Sequence, residues 1–407
     1  MRIGRTLPPA AAPIGIAEIF AGLRGLLRGQ AELERFRSEL QQHFGVRHCY
    51  LVSSGRAALT LALQALKELQ PGRDEVLIPA FTCYTVPSAV IRAGLKVRLC
   101  DLRPGAFDFD FARLAGMLSG ASGTGRLLAV VPTHLFGFPA DVAQVRSLLQ
   151  DSGVAVVEDA AQAMGEAWQG RKLGALGDIG FFSLGRGKAL SAVEGGVLLT
   201  DCDDVAAVLD RRMAGLPRYG WPKLLGLIAA AAALVLLTRP SLFWIPRALP
   251  FLRLGETRFE TGFPILRMSP LQAGLTARWR ERLEGMRAAR QANAARWAAI
   301  LENAGARELC FGDSRAHGLL RFPLRLRDAG RKRALLRAST RAGAGIMPAY
   351  LASINQLAQL GGEFPAQAYP AAEACARELV TLPTHGYVTP ADVARIRRLL
   401  ACVLEAA

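Results

Sequence analysis

The chain has 407 residues, 51% of them hydrophobic, and a formal net charge of +16 from 50 Lys and Arg against 34 Asp and Glu. That length can bury a large core, and the charge suits an anionic partner such as a phosphorylated small molecule or an anionic membrane surface. Nucleic acid is set aside because the basic residues are scattered and no reader motif appears; seven cysteines without a C-x-x-C pair set aside a disulfide frame and a zinc site, and read as free thiols of a reduced compartment.

The opening "MRIGRTLPPAAAPIGIAEIF" starts basic, but Pro8, Pro9, Pro13 and Glu18 interrupt any apolar core. It is expected to be part of the mature chain and not a signal peptide, within an N-terminal segment 1–40. Residues 41–220 read as a large domain. There "YLVSSG" is a short strand ending in a glycine turn, and Ala57 to Lys67 repeats apolar residues at helical spacing. The runs "EVLIPAF", "KVRLCDL", "RLLAVVPTHLFG", "VAVVEDAA", "DIGFFSL" and "GGVLLTD" follow, with helix-like stretches between several of them. Such alternation describes an α/β fold with a mostly parallel sheet sandwiched by helices. Ligands of such sheets gather outside the carboxyl ends of the strands, which here carry Ser54, Asp159, Ser183 and Lys188.

Trp221 to Leu254 is an apolar insert. Its uncharged run Leu224 to Leu237 is shorter than the roughly 20 residues that span a bilayer. Pro240, Pro246 and Pro250 break its continuation, and Lys223, Arg239, Arg247 and Arg253 flank it. The expectation is a two-part hairpin dipping into one leaflet, anchored by Phe243, Trp244 and Phe251; a buried helix with a proline-rich loop is the alternative. Residues 255–407 read as a connecting helix and a smaller α/β domain. One long helix is expected from Leu271 to about Ala304, arginines outward, then "LLRFPLRL" as a strand and two closing helices.

The loop "SLGRGKAL" (Ser183 to Leu190) sets a lone lysine among glycines. A phosphate loop fails, since Phe182 stands where its first glycine belongs and Ala189 where its hydroxyl belongs. A dinucleotide fingerprint fails too, for want of a third glycine after Gly185 and Gly187. What remains is Lys188 as an amine nucleophile that forms a Schiff base with a carbonyl cofactor, with Asp159 as the carboxylate such a cofactor needs.

The runs "HFGVRHCYLVSSGRAALTLAL", "PAFTCYTVPSAVIRAGLKVRLCDL", "PTHLFGFPAD", "VVEDAAQAMG", "LGDIGFFSLGRGKALSAVEGGVLLT" and "RMSPLQAGL" together resemble the DegT-type sugar aminotransferases. The resemblance implies the aspartate aminotransferase fold and pyridoxal 5'-phosphate as cofactor. It also implies a homodimer that moves an amino group, usually from glutamate, to a keto-sugar on a nucleotide diphosphate. With the insert, it places the work at the cytoplasmic face of the inner membrane, where a lipid carrier is equally open. Lys188 would hold the cofactor and shuttle a proton, and Asp159 would keep its ring nitrogen protonated. Gln162 would lie beside its phenolic oxygen, Ser54, Gly55, Arg56 and Ser183 would bind its phosphate, and His134 and Tyr84 would stand near the substrate. Three departures stand out: Arg56 for a threonine, Cys83 for a stacking aromatic ring, and Ile265 for an asparagine that reaches the neighbouring subunit. They leave a catalytically weak, membrane-associated scaffold or regulator as the rival reading.

Overall fold

A computed structural model describes residues 3–119, 121–249, 257–360, 362–365 and 368–404. Seven of the apolar runs form one sheet: β1 (His48–Val52), β2 (Glu75–Pro79), β3 (Lys96–Cys100), β4 (Leu127–Val130), β5 (Ala155–Asp159), β8 (Ile179–Ser183) and β9 (Gly196–Thr200). The short β6 (Ala167–Trp168) and β7 (Arg171–Lys172) make a separate hairpin. The strand order is β1-β9-β8-β5-β4-β2-β3. From β8 to β3 the pairs are parallel, and β9 runs opposite to both its neighbours. Alternate residues enter different cores: Val76, Ile78, Phe181 and Leu198 on one face, Leu77, Phe182, Val197 and Leu199 on the other. Burial on both faces is why these strands read as unbroken apolar runs.

A second, antiparallel sheet of β10 (Arg321–Arg325), β11 (Met347–Pro348) and β12 (Leu379–Pro383), in the order β10-β12-β11, forms the smaller α/β unit. The helix Trp279–Asn303 leads into it, and the Trp297 indole donates to the Pro383 carbonyl at 2.9 Å. The single helix expected from Leu271 is in fact two, Pro270–Leu275 and Trp279–Asn303, with Arg278 between them at φ 52°. Helix Pro270–Leu275 turns aside to pack on Ile16–Arg28. The contact is so close that a Cβ on Gly274 would stand 2.4 Å from the Ala21 carbonyl oxygen. Periodicity carries no signal for such a crossing.

The insert also departs from expectation. Trp221–Leu237 is a helix with Pro222 in its first turn, where a missing N–H costs nothing. It buries Leu224, Leu227, Ala231 and Val235 in the same core as Phe36, Leu40 and Leu190, so it is docked on the protein and does not form a free hairpin. Phe243 is buried and not an interface anchor. The following turn is tied down as well: Arg247 donates to the Thr340 hydroxyl at 3.1 Å, and Thr6 N–H to the Pro240 carbonyl at 2.7 Å. Phe251 and Arg253 lie outside the described residues. Among the described residues no helix is long and apolar enough to cross a membrane, and no cluster of metal-ligating side chains occurs.

Candidate active site

The ends of β1, β8 and β5 frame the site. After β1, Ser54 caps the helix Gly55–Leu69, its hydroxyl accepting from Ala57 N–H at 3.2 Å. After β8, Ser183 lies against that turn so closely that a Cβ on Gly55 would come within 2.8 Å of the Ser183 Cβ. The pairing sets two hydroxyls beside a helix N-terminus, a ready place for a phosphate. At the end of β5, Asp159 is buried. Its Oδ1 accepts from Ala161 N–H at 3.0 Å, and no hydrogen bond reaches Oδ2 among the described residues. Burial pushes the Asp159 carboxyl up, against the pull of Ala161 N–H and the charge of Lys188.

Lys188 lines a cavity of about 510 Å³. Its loop is held by Arg290, whose buried guanidinium donates to the carbonyls of Lys188 at 3.1 Å, Ala189 at 3.2 Å and Ala11 at 3.1 Å. This arginine sits on the helix expected to point its arginines outward, and the sequence offered no sign of its role. Gln162 and Cys83 share the cavity, as do Arg186, Arg321 and Tyr350. Gln162 donates to the Tyr350 hydroxyl at 3.0 Å and accepts from Phe136 N–H at 3.1 Å. The Cys83 thiol is 3.0 Å from the Thr85 hydroxyl. Arg186 was visible beside Lys188 in the loop motif; Tyr350 and Arg321 had no signal beyond their residue type. No carboxylate lines the cavity among the described residues.

Of the expected residues only Lys188, Gln162 and Cys83 line this cavity; Asp159 and the turn of Ser54, Gly55 and Ser183 do not, and neither do His134, Tyr84 and Arg56. His134 is fully buried: its Nδ1 accepts from Ala140 N–H at 2.9 Å, so its proton sits on Nε2, which donates to Glu158 at 2.7 Å. Burial raises Glu158, but His134 and the N–H groups of Gly174 and Leu176 outweigh it and hold the carboxyl below its ordinary value. The His134 backbone N–H donates to the Asp159 carbonyl at 3.0 Å, so His134 braces the strand end and does not face the cavity. Tyr84 is likewise occupied, its hydroxyl donating to the Ala352 carbonyl at 3.0 Å and accepting from Ala352 N–H at 2.8 Å. Arg56 pairs with Glu260 at 3.2 Å and lies over the Phe263 ring. Ile265 packs at the edge of the larger core.

These residues fit a pyridoxal-type group. An uncommitted oxygen on a buried aspartate suits a protonated ring nitrogen, the lysine suits a carbonyl, and the serine turn suits a phosphate.

The sequence model of the DegT/DnrJ/EryC1/StrS aminotransferase family matches residues 21–401. The chain belongs to this family. Within the curated members it is 36% identical over 206 residues to the UDP-N-acetyl-3-dehydro-alpha-D-glucosamine 3-aminotransferase of Acidithiobacillus ferrooxidans, a match covering 51% of this chain and 53% of that one. It is 34% identical over 172 residues to the GDP-perosamine synthase of Caulobacter vibrioides, covering 42% and 44%. The chain thus spans about half the length of the curated relatives it matches. The fold extends further: Helicobacter pylori PseC, an aminotransferase of pseudoaminic acid biosynthesis, superposes with a TM-score of 0.77 over 99% of this chain and 100% of that one, at 16% identity. An Escherichia coli GDP-4-keto-6-deoxy-D-mannose-3-dehydratase with bound hydrated PLP gives 0.74 over 98% and 100%, also at 16% identity.

Proposed function

We propose that the protein is a pyridoxal 5'-phosphate-dependent aminotransferase that moves an amino group, from glutamate, to a keto-sugar carried on a diphosphate. The observation that carries this is Lys188 lining a cavity on a loop held by Arg290, with the buried Asp159, one oxygen uncommitted among the described residues, near enough for the lysine charge to act on it. When bound, the cofactor supplies a carbonyl for the amine and a ring that accepts electrons. The Lys188 amine would hold the cofactor's carbonyl and would be placed to move a proton at the reacting carbon. Asp159 would hold the ring nitrogen, its carboxylate charge favouring a proton there. Gln162 and Tyr350 hold each other in place in the cavity lining. Arg186 and Arg321, with no carboxylate in the lining, suit the acidic groups of donor and acceptor.

The names of two relatives, acting on UDP- and GDP-linked sugars, favour a nucleotide carrier. A lipid-linked diphosphate offers the same anion. The seven free cysteines accord with the cytoplasmic side, and the family's usual homodimer is adopted for this chain. Borohydride reduction of the cofactor-loaded protein followed by peptide mapping should tag Lys188. A tag on another lysine, or none, sinks the proposal and favours the scaffold reading. The ketone that then restores the pyridoxal absorbance from the pyridoxamine form identifies the acceptor.

A further inference from the structure

Helices Ile16–Arg28 and Trp221–Leu237 touch each other on the outside of the cavity wall, to which the second contributes Ala230, Ala233, Leu234 and Leu237. Each already packs one face inward, through Gly22 and Gly25 in the first and Leu224, Leu227, Ala231 and Val235 in the second. Their outward faces are apolar as well. Ile16, Phe20, Leu23 and Leu27 follow at helical spacing and are exposed, Phe20 to 66% and Leu27 to 88%. On the neighbouring helix Trp221 is 72% and Leu225 62% exposed, with Leu236 beyond them. Gly226, Ala229 and Ala232 fill the same exposed face, so it has no polar side chain between Leu225 and Leu236. A helix face in water ordinarily carries charge there.

The unpaired charges on these two helices and just after the second have one sign. Arg24, Lys223 and Arg239 are exposed and form no ion pair among the described residues. The single carboxylate of the two helices, Glu18, is buried beside Arg278 and Arg282. We propose that this two-helix face docks on the surface of an anionic lipid bilayer, with Phe20, Leu27, Trp221 and Leu225 in the headgroup boundary and the cations at the phosphates. A second copy is the poorer occupant: a two-fold contact through this face would set the cations Arg24, Lys223 and Arg239 of one copy against those of the other, with no exposed carboxylate of either helix to meet them. The docking needs the two helices alone. That it brings a membrane-held acceptor to the cavity behind Trp221–Leu237 is a further step, which rests on the proposed reaction.

Flotation with phosphatidylcholine vesicles, with and without phosphatidylglycerol, needs no cofactor and so fails or succeeds separately from the transaminase assay. The full chain should float with the anionic vesicles. A part should persist in about 1 M salt, where screening falls to about 3 Å but apolar insertion remains. The pairs Phe20→Glu/Leu27→Glu and Trp221→Glu/Leu225→Glu should each lose flotation about tenfold or more, with the thermal midpoint unchanged. Arg24→Gln/Lys223→Gln should lose only the salt-sensitive part, and keeps the question decidable if a glutamate pair unfolds. Wild-type protein that stays in the soluble fraction, or glutamate pairs that float as it does, overturns the proposal. So does a fall in solution mass of the glutamate pairs without wild-type flotation, which makes the face a subunit contact.

Discussion

Asp159 shows how one side chain serves stability poorly and chemistry well. A buried carboxyl with a single hydrogen bond costs free energy to keep ionised, and its upward shift expresses that cost. A cationic group against Oδ2 relieves it. An asparagine at this position would fill the same space and leave the Ala161 contact possible, but it offers no charge. We expect Asp159→Asn to keep the fold and some cofactor, and to lose turnover by several powers of ten, each power equal to about 1.4 kcal/mol of barrier. Steady-state kinetics beside the cofactor absorbance band would check it; near-native turnover would reduce Asp159 to a turn residue. His134, by contrast, acts only through its neighbours, because both its ring nitrogens are already used.

At the scale of elements, the long helix Trp279–Asn303 reaches across the molecule to hold the lysine loop through Arg290. Its guanidinium joins three backbone carbonyls, of Ala11, Lys188 and Ala189, and burial lowers its pKa to about 10. Arg290→Met keeps the length and apolar stem but strands those carbonyls, each left unpaired at a cost of about 1–3 kcal/mol. The variant should unfold at lower denaturant by an amount on the order of 3 kcal/mol, and the Lys188 loop should lose protection from hydrogen exchange. An unchanged midpoint with an equally protected loop would show that water replaces the arginine without loss.

Across the whole molecule, His385 closes the chain on itself. Its Nε2 donates to the Pro8 carbonyl at 2.7 Å, and burial lowers its pKa to about 4. The unfolded chain binds a proton near pH 6.5 that the folded chain refuses. Stability is therefore intact above pH 6.5 and falls as pH drops toward 4, by up to about 1.4 kcal/mol per unit. His43 shifts the same way but is partly exposed, so it adds less. Urea unfolding between pH 7 and 5 should show this slope, and His385→Gln should flatten it. A slope unchanged by the substitution would place the titration elsewhere.

The sheet was legible because strands buried on both faces must be apolar throughout, and all seven runs became its strands. Lys188 was legible because an isolated amine in a glycine loop after a strand has few structural uses, and Asp159 because it ends a buried strand. Arg321 and Tyr350, which line the cavity, and Arg290, which holds the Lys188 loop, were not legible, being brought there from more than 100 residues away in sequence. Nothing in the sequence pointed to the pairing of Arg56 with Glu260, 204 residues on. The insert makes the division plain. Its apolar composition alone determined that it must leave water, but only packing decided which face of Trp221–Leu237 meets the core, because a helix apolar all round has no inner side until a neighbour supplies one.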